Sequence, residues 1–262
     1  RDGAGTAAGG RDLDPVPARD GRYFVPVEIP LKQEARFVGV TQWTEGELLS
    51  NVLQKAAAAD RTAHFAILGS TVAKMHNQAR AWRPPSGFVR HHLNAEGLLG
   101  DAPFWGRFWD HPVLAEYERR QLMEAREKVR VVLARLGREN YSVIHADLHP
   151  GNVLIGGDAL TVIDFDDAGW GWHLYDIAVA LVRQQETTYF ADIESAFVQG
   201  YRSVRPLPQT SRALIPMFLM IRDMASLGWR AQRPEIDKPD YLEALRTRVC
   251  RAAARFEPPP IV

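Results

Sequence analysis

The chain has 262 residues, in which 32 Lys and Arg side chains balance 32 Asp and Glu side chains. A chain of this length buries a large core, as one two-lobed domain or two small ones, and its neutral balance provides no global basic surface for nucleic acid. The single cysteine, Cys250, excludes an internal disulfide framework, and no apolar run is long enough to span a bilayer. We therefore expect a soluble, cytoplasmic protein with neither nucleic-acid nor membrane partners, and the oligomeric state stays open.

The first part of the chain is polar and rich in glycine. Residues 1–20 have no apolar periodicity and are predicted to form a disordered start or a loop. Their glycines are not followed by the Lys-Ser/Thr pair of a phosphate-binding loop, so a flexible segment is favoured over a nucleotide site. Residues 22–29 and 35–41 predict an antiparallel strand pair.

Helical periodicity dominates the chain after Trp43. Phe65, Leu68 and Val72 recur at steps of three and four residues and predict a buried helical stripe that ends before Pro84. Further helices are predicted over 113–136, 177–184, 193–201, 211–229 and 241–256. Residues 88–110 carry glycines and aromatic side chains, which either wall a substrate pocket or cover the helical core.

Residues 141–176, YSVIHADLHPGNVLIGGDALTVIDFDDAGWGWHLYD, hold most of the chemically informative side chains. His145, Asp147 and Asn152 stand in the order H-x-D-x-x-x-x-N, which is the catalytic-loop pattern of kinases. An apolar run over 153–155 and another over 160–163 predict a hairpin. Asp164 comes directly after this hairpin, so we expect the oxygen atoms of Asp147, Asn152 and Asp164 to converge on a hard cation and phosphate.

The segments HADLHPGN and VIDFDDAGWGWHLYDIA resemble the aminoglycoside phosphotransferase and choline-kinase-like family, the small-molecule branch of the protein-kinase fold. The resemblance extends to LGSTVAKMHNQARAW and covers the chain from about Trp43 onward. It implies an α+β, protein-kinase-like fold. Residues 1–42 would form a partial, truncated N-lobe of about two strands, and residues 43–262 would form a mainly helical C-lobe with the catalytic-loop β-hairpin, the metal-binding loop and the substrate cleft.

The resemblance also implies roles for individual residues. Asp147 would be the catalytic base, and His145 would brace the catalytic loop. Asn152 and Asp164 would hold Mg²⁺ and, through it, the phosphates of ATP or GTP. Asp176 would be a buried structural acid that accepts hydrogen bonds from the loop. Two accessory candidates are Asp166, near the metal or the substrate, and His149, which caps or packs the loop.

The residues before Trp43 are too few for a complete small lobe. A kinase N-lobe has about five strands, a glycine-rich loop over the phosphates, and a strand Lys that pairs with a helix Glu. Here only two strands and a hinge over 42–46 are predicted, and Lys32 lies in a predicted turn that does not suit the phosphate-binding role. Because the catalytic loop is intact, we expect a fragment of a longer protein rather than a degenerate relative.

Two other function classes are compatible with parts of the sequence. The alternating His145, Asp147 and His149 resemble a transition-metal set and would indicate a metallohydrolase, although a zinc site usually needs a further His or Cys. The absence of an assigned phosphate-binding Lys favours a catalytically impaired fragment or a pseudokinase-like binding module. The intact motif favours an ATP- or GTP-dependent phosphotransferase acting on a hydroxyl of a small molecule.

The sequence leaves the acceptor molecule open between an antibiotic, an amino alcohol, a sugar and a protein hydroxyl. An aminoglycoside pocket needs a dense acidic cluster to pair with several ammonium groups, whereas the acids of the C-terminal part are scattered. Five side chains of the later helices are candidates for the substrate cleft: Glu194, Tyr201, Arg222, Asp223 and Trp229.

Overall fold

A computed structural model of the protein describes residues 14–29, 34–156 and 159–258. These residues divide into two compact units. The first contains the chain up to residue 56 together with 150–163, and the second contains 57–149 and the chain from 164 onward. Lys32 and residues 1–13, for which a turn and a disordered start were predicted, lie outside the described residues.

In the described residues, four strands precede the first helix, and helices predominate after residue 172. The strands are β1 (Pro15–Val16), β2 (Phe24–Ile29), β3 (Glu34–Thr41), β4 (Glu47–Leu48), β5 (His92–Leu93), β6 (Tyr141–Ile144), β7 (Val153–Gly156), β8 (Ala159–Val162) and β9 (Gly169–Trp172). The helices are α1 (Leu49–Lys55), α2 (Ala58–Ala81), α3 (Ala95–Leu99), α4 (Glu116–Arg135), α5 (His173–Leu181), α6 (Phe190–Arg202), α7 (Gln209–Arg212), α8 (Ile215–Ala231) and α9 (Pro239–Arg255). Short 3-10 turns span Phe108–Asp110, Pro150–Asn152, Val182–Gln184 and Pro234–Ile236.

The first unit contains two small sheets. The predicted strand pair is confirmed: β2 and β3 are antiparallel, with Val25 opposite Val38. β1 adds a third strand by pairing Val16 with Val40, which corrects the loop prediction for this part of residues 1–20. A two-residue strand has no periodicity of its own, and β1 forms because it satisfies the open edge of β3.

The second sheet of this unit, in the order β4-β7-β8, contains the predicted hairpin. β7 and β8 are antiparallel, with Val153 opposite Val162, and β4 pairs Leu48 with Leu154. This pairing explains why residues 43–56 and 150–163 cluster with the first unit, whereas the sequence placed the boundary at residue 42.

The second unit has a three-stranded sheet in the order β5-β9-β6. β9 lies antiparallel to β6, with Ile144 opposite Gly169, and parallel to β5. Sequence analysis did not predict β9, since its Gly-Trp-Gly-Trp sequence has no β-branched residues and two glycines that weaken strand propensity. The strand matters because its pairing positions β6, which leads directly into His145.

Helices form the bulk of the second unit. The predicted helix with the Phe65, Leu68 and Val72 stripe is confirmed as α2, and all three side chains are buried. α2 packs against α6 at two glycines: a Cβ atom at Gly69 would lie 2.1 Å from the Phe197 carbonyl oxygen, and one at Gly200 would lie 1.9 Å from the Ala66 carbonyl oxygen. The two backbones therefore approach more closely than any side chain would permit.

Two helix boundaries correct the sequence analysis. α5 begins at His173 rather than 177, so Asp176 lies in its first turn, and every residue of this helix is buried. The segment predicted as one helix over 211–229 is split into α7 and α8, with Pro216 at the start of α8. Proline is tolerated in a first helical turn but not in a helix interior, which explains the break.

Within the described residues, no helix combines the length and the apolar character needed to cross a membrane.

Candidate active site

The loop after β6 carries the first group of predicted site residues. Ala146 adopts a left-handed backbone conformation, with φ at 68°, which costs free energy for a residue with a Cβ atom. The His145 ring nitrogen Nδ1 accepts a hydrogen bond from the Asp147 backbone N–H at 3.3 Å, and the His149 N–H donates to the Asp147 carbonyl oxygen at 2.8 Å. These contacts fix the direction in which the Asp147 side chain leaves the loop.

The buried carboxylate of Asp176 anchors the backbone of this loop. Its Oδ2 accepts from the His145 backbone N–H at 3.0 Å and its Oδ1 accepts from the Ala146 N–H at 2.7 Å. His76 Nε2 lies 3.1 Å from the same Oδ2. Burial alone would raise the pKa of Asp176, but the hydrogen bond from His76 and the backbone donors outweigh it, so the pKa lies below its usual value. The carboxylate therefore stays charged, and its hydrogen bonds to the loop backbone compensate for the free-energy cost of the left-handed conformation at Ala146.

His76 connects the loop to α6. Its Nδ1 lies 2.9 Å from the Tyr201 hydroxyl, and its ring stacks on His173 with a centroid separation of 4.0 Å. Because a carboxylate only accepts hydrogen bonds, Nε2 carries the proton toward Asp176 and Nδ1 can accept from Tyr201. His76 and Tyr201, one of the five cleft candidates, thus support the loop from within the core.

The Asp147 side chain meets an arginine from α8. Arg222 Nη2 lies 2.6 Å from Asp147 Oδ1, and His149 Nε2 lies 3.5 Å from Oδ2. Burial lowers the pKa of His149 to about 4, with the Arg183 and Arg222 charges in the same direction and Asp147 opposing. His149 is therefore a neutral imidazole at pH 7, and its contact with Asp147 is not an ion pair.

Arg222 is itself enclosed by aromatic groups. Its guanidinium lies 5.7 Å from the centre of a Trp105 ring, at a distance where a cation is attracted to the ring face. Burial lowers the pKa of Arg222, but the neighbouring Tyr175 and Asp147 raise it above its usual value. Arg222 thus keeps its charge, and the Arg222 to Asp147 pair is a fixed feature of the site.

Asp164 lies at the start of a second polar loop, in a left-handed conformation with φ at 67°. Asp164 and Asp166 are exposed, and Asp167 is half-buried. Arg90 fixes the loop: its Nε donates to the Ala168 carbonyl oxygen at 2.6 Å, and its Nη2 donates to the carbonyl oxygens of Phe165 and Asp166 at 3.1 and 2.8 Å. The loop therefore presents carboxylates to solvent on a constrained backbone.

Asp167 belongs to the surroundings of Asp147. Burial raises the pKa of Asp167, and the nearby charges of Asp147, Asp164 and Asp166 raise it further, against the opposing effect of Arg222. Mutual repulsion of this kind is relieved by a bound cation or by a hydrogen-bond donor.

Asn152 lies in the first unit, at the end of the 3-10 turn Pro150–Asn152. The residue is buried, and its carbonyl oxygen accepts from the Ile163 backbone N–H at 3.0 Å. This bond closes the base of the β7 and β8 hairpin.

A cavity of about 200 Å³ opens beside Asp147 in the second unit. Its lining includes aromatic side chains, three arginines and two carboxylates: Trp105, Trp229, Tyr241, Arg183, Arg222, Arg230, Asp147 and Asp167, with His149 and Ser226. Of the aromatic segment 88–110, Trp105 lines this cavity, whereas Phe108 is buried in the core. The role of the segment in a substrate pocket stays a prediction.

The five cleft candidates separate in the structure. Arg222 and Trp229 line the cavity, while Glu194 pairs with Arg212 at 3.2 Å. Asp223 accepts two hydrogen bonds from Arg248, at 2.8 and 2.7 Å. Arg90, Arg183 and Arg230 were not predicted from the sequence. Of the three, only Arg183 had a signal there, as a lone charge directly after the apolar run that ends at Val182.

The described residues contain no group of three or more His, Cys, Asp or Glu side chains placed to hold a metal ion. A Mg²⁺ ion bound with phosphates needs only one or two protein carboxylates or amides, since substrate and water complete its octahedron. The exposed carboxylate of Asp164 and the neighbouring acids are hard oxygen donors of the type that Mg²⁺ prefers. The donor set therefore fits magnesium better than zinc.

Comparison with known proteins agrees with this geometry. Residues 20–207 match the model of the phosphotransferase enzyme family, APH. The chain is 30% identical over 100 residues to amicoumacin kinase of Bacillus subtilis, covering 35% of this chain and 30% of that protein. It is 29% identical over 209 residues to homoserine kinase of Methylobacillus flagellatus, covering 76% of this chain and 61% of that protein.

The fold is also that of solved kinases. The structure of a microcompartment-associated aminopropanol kinase superposes with a TM-score of 0.73 at 30% identity, covering 92% of this chain and 72% of that one. The protein-kinase-like α+β fold is thereby confirmed. The chain spans about half the length of the curated relatives it matches, from 30% to 63% for the first three. The match over 20–207 establishes that the chain belongs to the phosphotransferase enzyme family, APH.

Proposed function

We propose that this chain carries the catalytic and acceptor-binding part of a phosphotransferase that moves the γ-phosphate of ATP or GTP to a hydroxyl of a small molecule. The observation that carries this proposal is the position of Asp147. Its carboxylate forms part of the wall of a cavity, on a loop whose backbone is held by the buried Asp176. The kinase names of relatives support the reaction class.

Asp147 is the proposed catalytic base. In phosphoryl transfer the protein contributes mainly position and charge, so the base orients the attacking hydroxyl and takes its proton late in the reaction. Asp147 is suited to this work because Arg222 fixes one carboxylate oxygen. His145 acts through the loop: its ring accepts the Asp147 N–H, so it positions the base and does not touch the substrate.

Asp164 and Asn152 are the proposed ligands of Mg²⁺, by resemblance to the family motif. When bound, Mg²⁺ would neutralise charge on the phosphates of the nucleotide. Asp164 supplies a full negative charge from an exposed position, and Asn152 would supply a neutral oxygen that limits the negative charge beside the phosphates. Asp166 is an accessory candidate on the same loop, and His149 packs against Asp147 as a neutral group.

A nucleotide-binding measurement tests the metal assignment. Mg²⁺ and ATP together should raise the melting temperature of the protein, because a ligand that binds only the native state stabilises it. Asp164→Asn should abolish this rise, and Asp192→Asn, which removes an exposed acid on α6, should keep it. An equal rise in all three proteins would contradict the role of Asp164.

An activity measurement tests the reaction itself. ADP release in the presence of Mg²⁺, ATP and a panel of small alcohols should require an acceptor. Asp147→Asn should lower kcat at least about 100-fold with little change in KM for ATP, as expected for a general base. Asp192→Asn is the matched control. If the protein binds nucleotide but releases no ADP in response to an acceptor, it acts as a nucleotide-binding module, and the proposed transferase activity is contradicted.

A further inference from the structure

The cavity beside Asp147 borders a larger one within the second unit. The second cavity, of about 480 Å³, lies between α5, α8 and α9. Both cavities are lined by Arg183, Arg222 and Arg230, together with His149, Ser226 and Tyr241. A ligand whose hydroxyl reaches Asp147 in the smaller cavity therefore lies beside these arginines.

Basic side chains outnumber acidic ones in the lining of the larger cavity. Arg248 and Lys238 line the larger cavity in addition to the three shared arginines, and the acids there are Glu186 and Asp223. A cavity with this balance attracts anions and repels ammonium groups, most strongly where burial lowers the effective dielectric.

Most of the charged groups in this lining already have partners. Arg222 pairs with Asp147 at 2.6 Å, and Arg230 pairs with Asp237 at 2.9 Å. Arg248 pairs with Asp223 at 2.7 Å, and Glu186 lies 3.6 Å from Arg251. The charges of these groups are offset within the protein.

Arg183 and the exposed Lys238 differ from these paired groups, and of the two only Arg183 also lines the cavity beside Asp147. No hydrogen bond or ion pair joins its side chain to any residue in the described part of the chain. It lies where α5 passes into the 3-10 turn Val182–Gln184, and it lines both cavities. Arg183 is exposed to solvent, so its guanidinium is accessible to a ligand in either cavity. A guanidinium of this kind binds a carboxylate or phosphate through charge-assisted hydrogen bonds.

Resting on the proposed transfer reaction, we propose that the acceptor is a small hydroxylated acid, whose carboxylate or phosphate group is bound by Arg183 while its hydroxyl faces Asp147. An arginine fork suits either anion, because its planar N–H groups match two oxygen atoms of a carboxylate or a phosphate. Trp229 and Tyr241 supply apolar walls for the part of the ligand between its two ends. A polycationic acceptor does not fit this charge pattern.

Matched pairs of alcohols test the proposal by binding alone, without nucleotide. One pair is homoserine and 3-aminopropan-1-ol, which differ by a carboxylate; the other is glycerol 3-phosphate and glycerol, which differ by a phosphate. By calorimetric titration the acid of at least one pair should bind about tenfold more tightly than its uncharged or cationic counterpart. Which pair shows the preference distinguishes a carboxylate from a phosphate.

Variants assign the preference to Arg183. Arg183→Gln should remove it, and Arg183→Lys should keep part of it, since the charge remains without the planar fork. Arg255→Gln, at an exposed position of α9, is the matched control and should behave as the wild type. Equal binding within both pairs, no binding of either acid at millimolar concentration, or an unchanged preference in Arg183→Gln would each overturn the proposal.

ADP release with the same compounds separates this inference from the proposed function. Acids that bind through Arg183 but release no ADP would leave the anion site in place and contradict the transfer reaction. Turnover that depends on Asp147 but is equal for acids and neutral alcohols, and unaffected by Arg183→Gln, would support the transferase and overturn the anionic acceptor. In the expected result, Arg183→Gln raises KM for the acid about tenfold or more with a smaller effect on kcat.

Discussion

Arg222 and Asp147 form an ion pair at 2.6 Å between α8 and the loop after β6. Both side chains are largely withdrawn from water, with 14% and 21% of their surfaces exposed. The pair joins the proposed catalytic base to a helix that also contributes Ser226 and Trp229 to the cavity. The orientation of the base and the shape of the cavity are therefore coupled.

Removing the arginine of this pair should destabilise the protein. Arg222→Gln leaves the Asp147 carboxylate without its counter-ion, and we expect a loss of about 2 kcal/mol in the free energy of unfolding. Urea denaturation measures this loss. Arg212→Gln is a matched control, because its pair with Glu194 is more exposed, at 33% and 22%, and such pairs contribute about 1 kcal/mol or less. Equal losses would contradict the structural role of Arg222.

Asp176 supports the loop that carries Asp147, and its replacement should have a defined pH dependence. Asp176→Asn keeps one acceptor oxygen but turns an NH₂ group toward a backbone N–H, so we expect a loss of about 2 kcal/mol at pH 7. Because the pKa of Asp176 is lowered in the folded protein, its contribution is fully present above the unfolded pKa of about 3.9 and is lost as pH falls through the folded pKa.

Urea denaturation of wild type and Asp176→Asn at several pH values checks this expectation. The difference in stability should be constant between about pH 5 and 8 and should shrink as the pH is lowered toward 3. A difference that grows on acidification would contradict the assignment of Asp176 as a charged acceptor.

His149 should make the protein less stable in mild acid. Its pKa is about 4 in the folded chain and about 6.5 in the unfolded chain, so between these values only the unfolded state binds a proton and stability falls as the pH is lowered. His149→Gln removes this effect, and its loss of stability between pH 7 and 5 should be smaller than that of the wild type by about 2 kcal/mol.

The pH dependence will not vanish in His149→Gln. Burial also lowers the pKa of His173, and that residue contributes with the same sign. The comparison needs chemical denaturation of both proteins at both pH values. Identical pH dependence would show that His149 is not a buried neutral imidazole.

The close packing of α2 against α6 at Gly200 should not tolerate an added methyl group. Gly200→Ala places a Cβ atom 1.9 Å from the Ala66 carbonyl oxygen, and the helices must move apart at a cost of about 2 kcal/mol or more. Thermal or urea denaturation measures the effect. Gln199→Ala, at an exposed neighbouring position of α6, should change stability by less than about 0.5 kcal/mol. A neutral Gly200→Ala would contradict the close packing.

Much of the fold followed from local patterns in the sequence. The α2 stripe, the β2 and β3 pair, and the β7 and β8 hairpin are encoded by residues close together in the chain. The exceptions have physical causes. β9 is a strand because β6 and β5 provide partners on both sides, whereas its two glycines weaken the local strand signal. The break between α7 and α8 had a local signal in Pro216, which the apolar periodicity around it outweighed.

The candidate site likewise combines residues from a local sequence motif with residues that are distant in the chain. His145, Asp147 and Asp164 lie in one motif that a reader of the sequence can find. Arg222 approaches Asp147 from 75 positions later in the chain, and Arg90 supports the Asp164 loop from 74 positions earlier. Such contacts depend on how helices pack, and no spacing rule in a single sequence predicts them.

The most direct test measures transfer of the labelled γ-phosphate from ATP to the acceptor. The protein is incubated with ATP labelled at the γ-phosphate, Mg²⁺ and a hydroxylated acid, and the labelled products are separated. We expect one phosphorylated acceptor for each ADP formed in the wild type and in Asp192→Asn, and a loss of at least about 100-fold in the rate at which that product forms in Asp147→Asn. Label found only as free phosphate, or transfer that Asp147→Asn leaves unchanged, would contradict the assignment of Asp147 as the base of a phosphotransferase.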